Sequence, residues 1–406
     1  MSIVKRKLSQ AFKNFFDSEK SSGVILIICT AVSLAITNSP FGATYLGFWH
    51  QSIIGLSIEH WINDALMAVF FLLIGLELER ELYVGELSDF KNALLPIFAA
   101  LGGIGVPALI HFILNNGTPT QAGIGIPMAT DIAFALGALA ILGDRIPASL
   151  KVFLTALAVI DDLGAIIVIA IFYTAKLATG YLLGALGVFA LLVVLNRLRV
   201  MNLIPYLIGG ALMWFFMLKS GVHATIAGVL LAFAIPFTGK EDDAKSPSHK
   251  IEHALHKPVA YLILPIFALA NTGIVIANNW YQDLTTANSA GIILGLVTGK
   301  PLGITLISFL VVAIGLCRLP LDLNWKHIFG AGLLGGIGFT MSIFITNLAF
   351  VGEANIVNAS KMAILLSSLT AGIIGFLWLR FFTMPEAIDD DLEAMDFAAN
   401  ETEATI

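Results

Sequence analysis

The 406 residues are 58% hydrophobic and only 12% charged, with a mean hydropathy of +0.89. A soluble domain carries roughly 25% charged residues, so this chain lacks the polar surface to cover the two or three water-soluble domains its length would otherwise suggest. The net charge of −6 comes largely from the acidic stretch AIDDDLEAMDFAANETEATI at the end of the chain, and no nucleic-acid partner is expected.

The chain begins with a basic amphipathic lead-in over 1–20, which opens MSIVKRKLSQAFKNFF. No small-residue cleavage site comes after the first apolar segment, so that segment is expected to remain as a membrane helix. Apolar windows predict spans over 21–38, 58–84, 91–115, 122–142, 148–175 and 178–198. A second set is predicted over 203–218, 222–238, 251–277, 288–315, 325–350 and 356–383, the seventh and eighth spans being short. Segment 39–57 is too polar and broken to cross, and reads as an external loop with a short hairpin. The expected organisation is therefore a single all-α membrane domain over 21–383, followed by a solvated, disordered acidic tail over 384–406. Cys29 and Cys317 lie in or beside apolar segments and read as packing residues without a disulfide.

Lysine and arginine placement sets the orientation. An even number of spans puts both termini on one side, and Lys5, Arg6, Lys7, Lys13 and Lys20 assign that side to the cytoplasm. Most other basic residues then fall on the same side, and only Lys176, Lys219 and Lys361 on the opposite one. Lys300 belongs to neither, because it lies near the centre of span 288–315.

Asp131, and the adjacent pair Asp161 and Asp162, fall near the centres of their own spans. Each of these three residues, like Lys300, would cost about 2.5–3.5 kcal/mol if it faced lipid. A salt bridge between helices accounts for one acid against one base, but three acids against one lysine leave excess negative charge at the midplane. That excess suits a cation pathway. The fourth span, QAGIGIPMATDIAFALGALAIL, carries Gly123, Gly125 and Pro127 ahead of Thr130 and Asp131. The eleventh, HIFGAGLLGGIGFTMSIFITNLAF, carries Gly335, Gly336 and Gly338. Interrupted membrane helices in corresponding positions of two halves point to a transporter binding site. The spans three to five and ten to twelve are accordingly expected to be inverted repeats. Gly102, Gly103 and Gly105 instead read as close-packing positions. Half-helix ends carry partial charge, and Asp131 and Lys300 are the candidates to offset it.

These stretches, with WINDALMAVFFLLIGLELERELYVGEL, LAVIDDLGAIIVIAIFY, GVHATIAGVLLAFAIP, IEHALHKPVAYLILPIFALANTGI and GLVTGKPLGI, resemble the bacterial sodium/proton antiporters of the NhaA family over all but the acidic tail. The resemblance implies twelve helices with the fourth and eleventh unwound and crossing, and electrogenic exchange of internal Na⁺ or Li⁺ for external H⁺ in the bacterial inner membrane. It places the cation and proton site on Asp161 and Asp162, the unwound Thr-Asp pair on Thr130 and Asp131, and the midplane lysine on Lys300. It maps a pH-responsive cytoplasmic cluster onto Glu77, Arg80, Glu81, Glu252, His253 and His256, with Glu79 standing where a basic residue is expected. A homodimer in the bilayer is compatible with this reading, and neither a cofactor nor enzymatic conversion is implied.

Successive helical residues point about 100° apart, so Asp162 is expected to face a watered funnel while Asp161 turns towards Lys300. Two carboxylates about 6 Å apart repel by roughly 3 kcal/mol at an effective dielectric of about 20. A proton or a hard cation such as Na⁺ relieves that repulsion, so the two ions compete for one site. Lys300 is either a fixed counter-charge or a proton carrier. Glu77 and Glu81, like Glu252 and His256, share a helix face at i, i+4 spacing. His223, opening the eighth span, reads as a packing or hydrogen-bonding histidine. The alternatives are a sodium-coupled solute symporter on a similar fold and an intramembrane aspartyl protease, whose GxGD signature is absent.

Overall fold

The computed structural model describes residues 10–85, 88, 90–173, 177–238, 246–276 and 280–383. The first nine residues of the lead-in and the acidic tail lie outside this range. In chain order the helices are α1 (Gln10–Thr37), α2 (Gly42–Trp49), α3 (Ile58–Tyr83), α4 (Phe90–Asn115), α5 (Ile132–Leu142), α6 (Ala148–Phe172) and α7 (Thr179–Arg197). They continue with α8 (Ile204–Ser220), α9 (Ile226–Ala234), α10 (Pro247–Asn271), α11 (Ala287–Ala313), α12 (Trp325–Gly335), α13 (Phe339–Ala349) and α14 (Ala354–Phe382). The only strands among the described residues form one hairpin, Ser52–Ile53 against Leu56–Ser57.

Among the described residues, eight helices are long and apolar enough to cross a membrane, or ten when each of two bent pairs counts as one span. This is an all-α, multi-pass membrane protein. The two remaining predicted spans are helical but short. The seventh is α8, of 17 residues. The eighth is α9, of only 9 residues, or about 13 Å against a hydrocarbon core of about 30 Å. Pro236 explains the early stop. It forces Ile235 into an extended conformation (φ −72, ψ 138), as a residue before proline prefers. Segment 39–57 holds the expected hairpin, whose turn residues Ile54 and Gly55 both have positive φ. It also holds α2, which was not expected and folds back from α1 through 119°.

The chain gathers into two compact units. One contains the described residues of Ile25–Gly85 and Ile166–Ile276. Its core joins Leu72 and Leu76 of α3 to Tyr206, Met213 and Met217 of α8 and Leu231 of α9. His223 Nε2 donates to the Tyr173 carbonyl, 2.9 Å away, fulfilling the expected hydrogen-bonding role.

The other contains the described residues of Met1–Val24, Glu86–Ala165 and Ala277–Ile406. Here the order helix, broken helix, helix occurs twice: α4, the segment 119–142 and α6, then α11, the pair α12–α13 and α14. Helices α4 and α11 touch backbone to backbone. A Cβ on Gly102 would stand 2.2 Å from the Gly303 carbonyl oxygen, and one on Gly303 would stand 2.1 Å from that of Gly102. The close-packing reading holds for Gly102 and for Gly103, where a Cβ would meet Ile304 at 2.9 Å. It fails for Gly105, which faces open space, because two further residues turn it away from the contact. Within α11 a π-helical turn, Gly295–Gly299, immediately precedes Lys300.

Candidate ion site

The site grows out of two helix breaks. In the fourth span, Pro119–Met128 winds as a 3₁₀ helix, and residues Ala129 to Asp131 run extended before α5 begins. Proline supplies no backbone N–H, so Pro127 weakens any continuous helix through this point. In the eleventh span, α12 ends at Gly335 and α13 starts at Phe339, with a 46° bend. Freed backbone groups inside a membrane need partners, and the two breaks supply them to each other. The Asp131 N–H donates to the Ile337 carbonyl at 2.6 Å. Ser342 Oγ donates to the Ile126 carbonyl at 2.7 Å, and Thr130 Oγ1 lies 2.9 Å from the Gly335 carbonyl.

Asp131 serves both half-helices that begin here. Its Oδ1 accepts from the Phe134 N–H of α5 at 3.1 Å. Its Oδ2 accepts from the Thr340 N–H of α13 at 3.0 Å and from Thr340 Oγ1 at 2.5 Å. One carboxylate therefore caps two helix N-termini, where a negative charge is favoured. This is the dipole compensation expected of it. With both oxygens engaged, Asp131 is poorly placed to be a cation ligand.

Asp161 is the centre of a second group. Its Oδ2 lies 2.5 Å from Lys300 Nζ and 2.7 Å from Thr130 Oγ1, and Lys300 Nζ also donates to Thr130 Oγ1 at 2.9 Å. Thr130 links this pair to the C-terminal carbonyl of α12, so the lysine stands beside a helix end of partly negative character. Asp161 and Lys300 are 0% exposed, and Asp162 is 1% exposed. The expectation of a funnel-facing Asp162 is thus corrected: α6 is packed on that face too, and the carboxylate is enclosed. Asp161 Oδ1 is buried and accepts no hydrogen bond, which leaves an oxygen available to a cation. Among the described residues no group of three or more His, Cys, Asp or Glu is arranged around a metal ion. A hard cation here would therefore rely on one or two carboxylates plus hydroxyl and carbonyl oxygens.

Sequence reasoning located Thr130, Asp131, Asp161, Asp162 and Lys300 but missed Thr340, Ser342 and the Gly335 carbonyl. A hydroxyl residue just after a glycine-rich break, as in GIGFTMS, is the signal that could have marked Thr340.

Five residues of the other expected cluster, Glu77, Arg80, Glu81, Glu252 and His256, come together within their own unit, and His253 stays outside it. Arg80 contacts Glu81 at 3.1 Å and Glu252 at 3.3 Å, and His256 Nδ1 lies 3.9 Å from Glu77. His253 is exposed and stacks only on His249, at 6.5 Å between ring centres. The sequence reading missed His249, which approaches Glu252 at 3.6 Å, and Ser248, which donates to the buried Glu79 at 3.1 Å.

Apolar spans, two discontinuous helices whose breaks satisfy one another, and enclosed ionisable groups at those breaks define a polytopic transport protein. A family model described as Na+/H+ antiporter 1 matches residues 13–379. The chain belongs to that family. It is 74% identical over 383 residues to the Na(+)/H(+) antiporter NhaA of Dechloromonas aromatica, covering 94% of this chain and 98% of that protein. It is 61% identical to the antiporter of the same name from Flavobacterium psychrophilum, covering 92% and 97% of the two chains. The NhaA antiporter of Cytophaga hutchinsonii is 60% identical, with 95% and 99% covered.

Proposed function

We propose that this chain exchanges Na⁺ or Li⁺ for H⁺ by alternating access, with cation and protons competing for Asp161 and Asp162. The observation that carries the reading is the enclosed Asp161–Lys300 pair with its neighbouring carboxylate, held at two interlocked helix breaks. The family and the names of its relatives support sodium and protons as the exchanged ions.

The chemistry follows from charge. Separating a buried Asp–Lys pair without replacement leaves an uncompensated ion, which is costly. A cation arriving at Asp161 and Asp162 replaces the ammonium as counter-charge, and a proton arriving at either carboxylate competes with it. Lys300 then acts as an internal stand-in for the cation. The resemblance to the family supports exchange that moves net charge in each cycle. The basic-residue distribution supports an inner-membrane orientation with both termini in the cytoplasm, so that sodium leaves the cell and protons enter. Glu77, Arg80, Glu81, Glu252, His253 and His256 are assigned to the pH response of exchange.

The test is a proteoliposome assay with a preset pH gradient. Na⁺ alone, with no organic solute, should dissipate the gradient. The apparent Na⁺ affinity should improve as pH rises, because proton competition falls; competition alone leaves the maximal rate little changed, and a pH-responsive group adds a change in that rate. A requirement for a co-transported solute, or a Na⁺ affinity independent of pH, would overturn the shared-site mechanism.

A further inference from the structure

Helix α12 ends at the ion site, and what fixes its other end is a titratable side chain. Asn324 Oδ1 accepts from the N–H groups of Lys326 at 3.0 Å and His327 at 3.1 Å. In return the Asn324 N–H donates to His327 Nδ1 at 3.2 Å. This is a reciprocal capping box, but with histidine in the place usually held by Glu or Gln. The imidazole accepts at Nδ1, so its single proton must sit on Nε2. A second proton would go to Nδ1 and set a donor against the Asn324 N–H. It would also put a positive charge at a helix N-terminus, where the dipole opposes it.

His327 is 3% exposed, and its Nε2 is buried without a hydrogen-bond partner. The elements packed on α12 are α11, α14, α5 and the π turn before Lys300. Their charged residues are Lys300 on α11, Lys361 and Arg380 on α14, and Asp131 at the start of α5. Arg318, Asp322 and Lys326 stand in the approach and first turn of α12. His327 forms no ion pair with any of these, so no carboxylate stabilises its charged form. The same turn is held from outside by Trp378, whose indole donates to the Lys326 carbonyl at 3.0 Å, and by the edge contact of Phe309 with Trp325 at 5.3 Å.

From His327 the helix runs about 12 Å to Gly335, whose carbonyl meets Thr130 beside Asp161 and Lys300. We propose that His327 is a positioning residue for exchange: neutral, it closes the cap that sets α12 in register with the fourth span, and protonated, it opens that cap and loosens the ion site. The cap turn lies on the side that the proposed orientation assigns to the cytoplasm. Acidification there slows exchange through α12, in addition to direct proton competition at the aspartates. This inference rests on the antiport reading for its transport consequence, but the cap itself does not.

The experiment compares full-length wild type, His327→Gln and His327→Ala in proteoliposomes. It measures Na⁺-driven proton release against pH and hydrogen exchange of residues 324–327. Glutamine can rebuild the capping box and does not titrate. Its activation profile should move to lower pH by about 0.7 unit, matching the roughly fivefold population change that one cap contributes, with the maximal rate retained. Alanine should lower the rate at every pH. Wild-type protection at 324–327 should fall on acidification, relative to the glutamine variant at the same pH. Superimposable profiles and equal protection in wild type and His327→Gln would overturn the proposal. If wild type moves no ions, the antiport reading fails, and the protection difference still decides the cap.

Discussion

Replacing Asp131 with asparagine tests whether a single carboxylate holds the two broken helices together. Asparagine keeps the size and one acceptor oxygen, but it presents an NH₂ where Asp131 now accepts a second time. Either the Phe134 N–H or the Thr340 pair loses its acceptor. A buried N–H left unsatisfied costs about 1–3 kcal/mol. Loss of the negative charge at two helix N-termini adds about 0.3–1 kcal/mol for each, and more when buried. The sum is about 2–5 kcal/mol, enough to lower Tm in detergent by about 2–6 °C for a chain of this length. Sodium binding measured by calorimetry should survive at weakened affinity, because Asp161 and Asp162 are untouched. An unchanged Tm would refute the capping role. Complete loss of Na⁺ binding with normal stability would instead make Asp131 a ligand.

Asp162→Asn should abolish Na⁺-driven proton release while leaving Tm and membrane insertion near wild type; near-normal release would remove it from the exchange. Lys300→Gln should lower Tm at neutral pH by an amount similar to that for Asp131→Asn, because breaking a buried ion pair costs about 3–5 kcal/mol. Since Na⁺ can substitute for the lost ammonium, added Na⁺ should recover part of that loss, and a Na⁺-insensitive Tm would refute the exchange of counter-charges. Gly303→Val should prevent accumulation of folded protein, as its Cβ would stand 2.1 Å from the Gly102 carbonyl oxygen; normal yield and melting would show that α4 and α11 separate freely.

The charge and glycine patterns made the centre of the molecule legible in advance. Asp131, Asp161, Asp162 and Lys300 stand out because ionised groups are costly in apolar segments, whatever the tertiary structure. The breaks at residues 129–131 and 336–338 were visible because proline and clustered glycines act on the backbone locally. The contacts of Thr340, Ser342 and the Gly335 carbonyl were not visible, since a hydroxyl or carbonyl inside a membrane segment has no compositional cost that marks it. The short α9 was overestimated because a hydropathy window averages across Pro236. The burial of Asp162 was missed for a related reason: a helical wheel gives a direction, not the atoms packed in that direction.

The π turn at Gly295–Gly299 has a consequence for how this segment changes over evolutionary time. A π turn is an α-helix carrying one surplus residue. Residues Asn288 and Gly291 before it keep one phase, in which Asn288 meets His111 and Ser360. Lys300 after it adopts another, offset by about 100° for the extra residue. Deleting any one of the five would merge the phases and swing either the ammonium away from Asp161 or the amide away from its partners. The surplus residue thus works as a joint that lets one continuous rod serve two incompatible alignments, and insertions or deletions in this stretch should be tolerated only in pairs that restore both.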